Sequence, residues 1–230
     1  MKIGFDIISD LCLTPEDNFN WDGKATSLYC VIAGNISRDL KTIRKTLAHL
    51  GQYYQGIFYC LGSLEYEDCL DISSRTDEIL KVCNTQRNVA VLHQHVVIVE
   101  SVAILGINGW YGNTAPADPL TEIQLEVLRN EDIIYLKSSL ERLQRHLDVK
   151  TILLVSNSVP GPEMHFGQEP VHAKDQLPID IALIADTENK VTHWAYGTYN
   201  KSVDIVRGKI NYVNNASYRR PSYYPKRIEV

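Results

Sequence analysis

Met1-Lys2-Ile3-Gly4-Phe5-Asp6-Ile7-Ile8-Ser9-Asp10-Leu11-Cys12-Leu13-Thr14 opens the chain. Lys2 to Ile8 has the length and apolar content of a buried strand, and it runs directly into Ser9-Asp10-Leu11-Cys12. That ending has four echoes downstream: Ala33-Gly34-Asn35-Ile36, Gly62-Ser63-Leu64-Glu65, Ser156-Asn157-Ser158 and Gly197-Thr198-Tyr199-Asn200. Each follows or closes a strand-like apolar run. Open α/β sheets build their sites on the loops at the carboxyl ends of strands. Five loops are therefore expected to converge on one place.

Working outward from these loops gives the elements. Ser27–Ala33 is a continuous apolar run of the kind covered on both faces. Arg38–Tyr53 carries Leu40, Ile43, Leu47 and Leu50 at helical spacing, and Gln55–Cys60 reads as a third strand. This strand–helix–strand order predicts a parallel sheet. Asp71–Cys83 is expected to be helical, with Ser73 or Ser74 as N-cap. Val89–Leu92, Val96–Val99 and Val102–Leu105 read as short strands. Thr121–Leu147 reads as a helix broken near Asn130, with Leu136, Leu140, Leu143 and Leu147 as its buried stripe. Thr151–Val155, Ile179–Ala185, Val191–Ala195, Val203–Val206 and Ile210–Val213 read as strands, and Tyr223–Val230 as an edge strand. Val159–Pro178 is a long excursion rich in Pro, Gly and His.

The 230 residues are 44% apolar and 22% charged, with a formal net charge of −5, which is the make-up of one large globular domain spanning 1–230. An acidic balance makes nucleic-acid binding unexpected. No apolar run approaches the roughly 20 residues of a membrane span. Five cysteines (Cys12, Cys30, Cys60, Cys69, Cys83) fall in no metal-binding spacing, which fits a reduced cytoplasmic protein. The tail interleaves Tyr218, Tyr223 and Tyr224 with Arg219, Arg220, Lys226 and Arg227. Such a mixture can stack bases, but a terminal segment crossing the surface is the simpler reading.

The five loops, in order and spacing, resemble the calcineurin-like metallophosphoesterase superfamily. Ser9-Asp10-Leu11-Cys12 stands where that family has Ser-Asp-Leu-His, and Ala33-Gly34-Asn35-Ile36 stands for Ala-Gly-Asp-Ile. Leu61-Gly62-Ser63-Leu64-Glu65-Tyr66 stands for Gly-Asn-His-Glu-Tyr with its preceding residue. Val155-Ser156-Asn157-Ser158 stands for a Val-Thr-His version, and Gly197-Thr198-Tyr199-Asn200 for Gly-His-x-His. The likeness spans nearly the whole chain. It implies a four-layer α-β-β-α sandwich of two mixed sheets. The closing Tyr223-Tyr224-Pro225-Lys226-Arg227-Ile228 also resembles the end of bacteriophage-encoded members, which would allow a virion as well as a cytoplasmic location.

The departures bear on function. The family holds two divalent metals with carboxylate, imidazole and amide groups. Of those positions Asp10 alone keeps the family residue. Cys12, Leu64, Asn157, Thr198 and Asn200 replace imidazoles, Asn35 replaces the bridging carboxylate, and Ser63 replaces the amide. A two-metal centre needs anionic charge and several donors, and Leu64 has no donor. The resemblance with these losses implies a pseudoenzyme without metal or cofactor, with a vestigial cleft at Asp10, Cys12, Asn35, Ser63, Leu64, Glu65, Asn157, Thr198 and Asn200. Protein partners are expected, a homo-oligomer among them, as a structural component or a host-directed inhibitor. Two other classes stay open. One is a hydrolase with a rebuilt one-metal site at Asp10 and Cys12, helped by His165, His172 or His193. The other is a metal-free phosphate or nucleotide binder using the turns at Gly34, Gly62 and Gly197. Glu65 is expected to support its turn, Cys12 to be a small buried hydrophobe, and His93 and His95 to lie on a polar strand face or turn.

Overall fold

The computed structural model describes residues 2–110, 122–161, 184, 190–198, 202–217 and 222–230, and among them stand eleven strands and three α-helices. The first sheet has strands β1 (Gly4–Ile8), β2 (Tyr29–Ala33), β3 (Gly56–Cys60) and β4 (Val89–Val91), all parallel, and an antiparallel edge strand β11 (Lys226–Glu229) beside β1. The second runs in the order β5 (Val96–Val99), β6 (Val102–Ile107), β7 (Thr151–Ser156), β8 (Val191–Tyr196), β10 (Ile210–Asn214), β9 (Val203–Arg207). Its four inner strands are parallel and its two edges antiparallel.

Alternation along each strand sorts side chains into layers. Phe5, Ile7, Val31, Ala33 and Phe58 meet Val102, Ile104, Leu153, Val155, Ala195 and Val213 between the sheets. The other face of the first sheet, with Ile8, Cys30, Ile32, Ile57 and Tyr59, is covered by α1 (Leu40–Leu50) and α2 (Ile72–Cys83). The other face of the second sheet packs Leu105, Leu154, Trp194 and Tyr212 against Leu136, Leu140 and Leu143 of α3 (Glu122–Arg145). This is the α-β-β-α sandwich the resemblance implied.

Local differences have local causes. Asp71, not Ser73 or Ser74, caps α2, because its carboxylate accepts from the Ser74 N–H at 2.7 Å. Helix α3 runs unbroken through Asn130, which faces solvent, where an asparagine costs a helix little. It ends at Arg145, so Leu147 falls outside the stripe and is 85% exposed. His93 and His95 sit in the bend between β4 and β5 rather than on a strand. The tail strand is present as β11, and Tyr223 packs on Phe19 (ring centroids 5.3 Å) while Lys24 sits over Tyr224. The Ile179–Ala185 expectation falls, save for Ile184, outside the described residues, as do His165, His172 and Asn200. Among the described residues no helix is long and apolar enough to cross a membrane.

Candidate functional site

The carboxyl ends of β1, β2, β3, β7 and β8 meet at one end of the sandwich. Backbone hydrogen bonds lace their loops together: Asp10 N–H to Gly34 O (3.1 Å), Cys12 N–H to Asn35 O (2.9 Å) and Gly197 N–H to Ser156 O (3.0 Å). Asp10, Cys12, Gly34, Asn35 and Thr198 all have φ between 47° and 81°. Such conformations cost about 1–3 kcal/mol each at residues other than glycine and gather where a site has been built.

Glu65 is the hub of the second and third loops. It is fully buried, and its carboxylate accepts from the backbone N–H groups of Asn35 (3.1 Å), Ile36 (2.5 Å) and Gly62 (2.8 Å) and from the Tyr59 hydroxyl (2.7 Å). Burial raises its pKa, and the bonds from Tyr59, Ile36 and Gly62 oppose that rise. The N–H groups that such turns offer to an anion are already committed to an internal carboxylate. Arg75 reinforces the turn, with Nε donating to Glu65 O at 2.8 Å.

Asp10 is arranged differently. Its Oδ1 accepts from Asn35 Nδ2 at 2.7 Å and from the Thr198 N–H at 3.0 Å. Its Oδ2 is buried and has no hydrogen-bond partner among the described residues. Burial pushes its pKa up to about 6, against the Asn35 and Thr198 bonds and the nearby Ser9 hydroxyl, which lowers it without forming a well-shaped bond. Asn35 turns its other end to Leu64, whose N–H donates to Asn35 Oδ1 at 3.0 Å. The amide thus reaches both the first and the third loop.

Asn157 closes the remaining space. A Cβ on Gly34 would stand 2.3 Å from Asn157 Oδ1, and one on Gly62 would stand 2.3 Å from Asn35 Oδ1 and 2.7 Å from Asn157 Oδ1. Asn157 and Asn35 therefore press directly on the glycine turns. Asn157 Oδ1 is itself buried without a partner among the described residues. Thr198 Oγ1 donates to Asn157 O at 2.8 Å. Cys12 is half-buried rather than buried, and desolvation, with Asp10 and Glu65 adding repulsion, pushes its thiol up to about 12. Such a thiol is protonated at neutral pH and is a poor nucleophile. Ser63 makes no capping bond to the short 3₁₀ turn Leu64–Tyr66 that it precedes.

The structure thus brings Asp10, Cys12, Asn35, Leu64, Glu65, Asn157 and Thr198 into one neighbourhood. His193 does not join them: it lies on β8, where its Nδ1 shares a hydrogen bond with Thr192 Oγ1. A sixth loop was missed in the sequence. Asn108-Gly109-Trp110 follows β6 with the same strand-to-glycine signature, and the Gly109 N–H donates to the buried Asp132 carboxylate of α3 at 2.7 Å. Burial pushes Asp132 up to about 7.

These residues do not fit a pair of divalent metals. Leu64 offers no donor atom, and Asn35, which the resemblance equates with the bridging carboxylate, points an N–H donor at Asp10 where a shared cation would need an oxygen. Among the described residues no three His, Cys, Asp or Glu side chains group as metal ligands.

Comparison with known proteins agrees on the fold. A scan against family models finds no match, and a search of curated proteins by sequence finds no relative. Solved structures are similar over almost the whole chain. Phosphopantetheinyl hydrolase from Mycobacterium tuberculosis superposes with a TM-score of 0.65 at 14% identity, covering 100% of this chain and 96% of that one. A putative 5′-nucleotidase from Staphylococcus aureus gives 0.53 at 11% identity over 93% of this chain and 48% of that one. GAP50, the anchor in the inner membrane complex of Plasmodium, gives 0.53 at 13% identity over 98% and 76%. The fold is phosphoesterase-like.

Proposed function

We propose that this chain is a catalytically inactive relative of the phosphoesterases whose fold serves as a rigid protein-binding or structural platform. The observation that supports it most is the Asn35 amide. It donates to Asp10 on one side and accepts from Leu64 on the other, so three loops that would surround metal ions are tied to each other instead. Side chains of Asn35 and Asn157 fill the space over the glycine turns, and the Cys12 thiol is held protonated. That one neighbour of this fold is described as an anchor is in keeping with a role of this kind. Phosphate binding by the glycine turns has less support, since Glu65 takes the N–H groups of Asn35, Ile36 and Gly62.

A second reading has one observation in its favour. Asp10 Oδ2 and Asn157 Oδ1 are both buried oxygen acceptors without partners among the described residues, and hard cations take oxygen donors. A hydrolase with a single rebuilt metal would use them. Elemental mass spectrometry on protein purified without chelator and refed with Mn²⁺ and Zn²⁺, with hydrolysis of a chromogenic phosphodiester measured in parallel, separates the two. The pseudoenzyme reading expects no stoichiometric metal and no turnover above the metal-ion blank. A retained metal with turnover lost in Asp10→Ala would replace it with the hydrolase.

A further inference from the structure

The sandwich has two lateral sides, and they are finished differently. On one side β11 and β9 carry charges along their edges, in Lys226-Arg227-Ile228-Glu229 and Val203-Asp204-Ile205-Val206-Arg207. Lys226 Nζ meets Asp204 at 2.7 Å and bridges the two sheets. On the other side stand β4 and β5. Strand β5 is Val96-Val97-Ile98-Val99, four β-branched residues with no charge, proline or bulge. Edge strands normally carry such features because they are open templates for pairing. The core between the sheets is also incompletely covered here: Ala90, Val97 and Val99 pack against it only half-buried, and on the opposite face of β5 Ile98 is 43% exposed.

We propose that a second copy of the chain covers this side, by antiparallel pairing of β5 with β5 across a two-fold axis. The hairpin fixes which groups are free. Val99 pairs with Val102 around the two-residue turn Glu100-Ser101, so Val97 and Val99 direct their N–H and C=O groups to β6. Val96 and Ile98 direct theirs outward, and no described strand pairs there. A partner strand without charges lies against this apolar one at least cost, since a charge set beside Val96 and Ile98 would lose part of its hydration. Among the edges of the described residues, β9 and β11 carry charges and suit it less. Strand β4 has only three residues, and its pairing with β5 would be heterologous and leave edges open.

Self-pairing closes. A two-fold axis normal to the sheet has to pass through a residue pair of one side-chain parity, so the register centres on Val97 or Ile98. Centred on Val97, Val96 faces Ile98, His95 faces Val99, and the Gln94 amide faces the Glu100 carboxylate. No like charges oppose each other. Centred on Ile98, Glu100 would face Val96, which makes the Val97 register the better one. Four-residue strands with the half-buried β4 edge beside them cover less than the ~1,600 Å² of a standard interface, so the dimer is a weak one that dissociates on dilution. This inference does not depend on what the five-loop cleft does.

Sedimentation of the full chain over a concentration series from about 1 μM to about 1 mM, the range of weak association, tests it. The wild type is expected to shift from monomer to dimer, and Ile98→Lys to stay monomeric with unchanged circular dichroism. A wild type that stays monomeric throughout, or a dimer that persists in a folded Ile98→Lys, overturns the proposal. Should the variant fail to fold, hydrogen exchange of the wild type decides: the Val96 and Ile98 amides must exchange several-fold more slowly at the dimeric end of the series. Equal exchange at both ends would overturn it as well.

Discussion

Two buried carboxylates a few residues from each other's hydrogen-bond partners meet opposite fates in this protein. Glu65 has donors on both carboxylate oxygens, with three backbone N–H groups and the Tyr59 hydroxyl around it, and they oppose the rise that burial causes. Among the described residues Asp10 has hydrogen-bond donors on Oδ1 only, and its buried Oδ2 has none. The first is a structural joint, complete in itself. The second is a corner whose side chains are tied to each other where charge compensation is missing. The contrast teaches that neighbouring turns at one end of a phosphoesterase-like fold can be held by a carboxylate ringed with donors in one place and by an amide tied to a half-bonded carboxylate in another.

The sharpest way to break the contrast is at Glu65. Hydrogen bonds to charged groups are worth roughly 1.5–3 kcal/mol each, and orphaned buried donors add their own penalty. Glu65→Ala is therefore expected to cost about 5 kcal/mol in denaturant unfolding, a large share of ordinary domain stability, and Glu65→Gln about half that. Loss of less than about 1 kcal/mol in Glu65→Ala would mean that the turn holds without its joint. Next comes Gly34→Ala. Its φ of 81° and the 2.3 Å approach to Asn157 Oδ1 predict a loss of about 3 kcal/mol, which a melting curve reads.

Asn35→Asp sharpens the comparison from the other side. A second carboxylate would replace the amide that now donates to Asp10 at 2.7 Å, so about 2 kcal/mol is lost at pH 7 and largely regained near pH 5, where one of the pair takes a proton. The same variant should gain stability from Mn²⁺, as a bridging carboxylate would, while the wild type should not. A wild type and variant with equal Mn²⁺ response would count against Asn35 as the group that closes the cleft.

The pH dependence of Asp10 has a definite sign. Its folded pKa, about 6, lies above the ordinary 3.8. Between those values the native state holds a proton that the unfolded chain has released, so this group's contribution is present below about pH 4 and lost as pH rises to about 6. Asp132, raised to about 7, acts in the same direction and extends the window upward. Asp10→Asn keeps the acceptor for Asn35 and Thr198 and removes the buried charge. It is expected to flatten the lower part of this slope and to stabilise the protein at pH 7 by about 1–2 kcal/mol.

Much of this was legible before any coordinates. Strand-length apolar runs ending in Asp10, Gly34, Gly62, Asn157 and Gly197 announce loops at one end of a sheet, because period and turn chemistry are local. That Leu64 and Asn35 depart from the family's metal donors is what the resemblance implies. What the sequence could not carry were through-space relations. That Asn35 Nδ2 faces Asp10, that Asn157 presses on Gly34, and that Glu65 gathers three N–H groups depend on loops from distant parts of the chain. Asp132 was invisible for the same reason, since a lone carboxylate in a helix has no local mark of burial. Leu147 misled because helical spacing continues past the point where α3 stops.

The central claim is that the five-loop end is held by its own hydrogen bonds and requires no metal. Unfolding free energies of the wild type and Asp10→Asn at pH 7, in chelator and then in excess Mn²⁺, test it most directly. A site filled a hundredfold above its Kd adds about 2.7 kcal/mol. The account predicts Asp10→Asn above the wild type and no response to Mn²⁺ in either. A wild type stabilised by Mn²⁺ to that extent, with Asp10→Asn less stable and unresponsive, would contradict it.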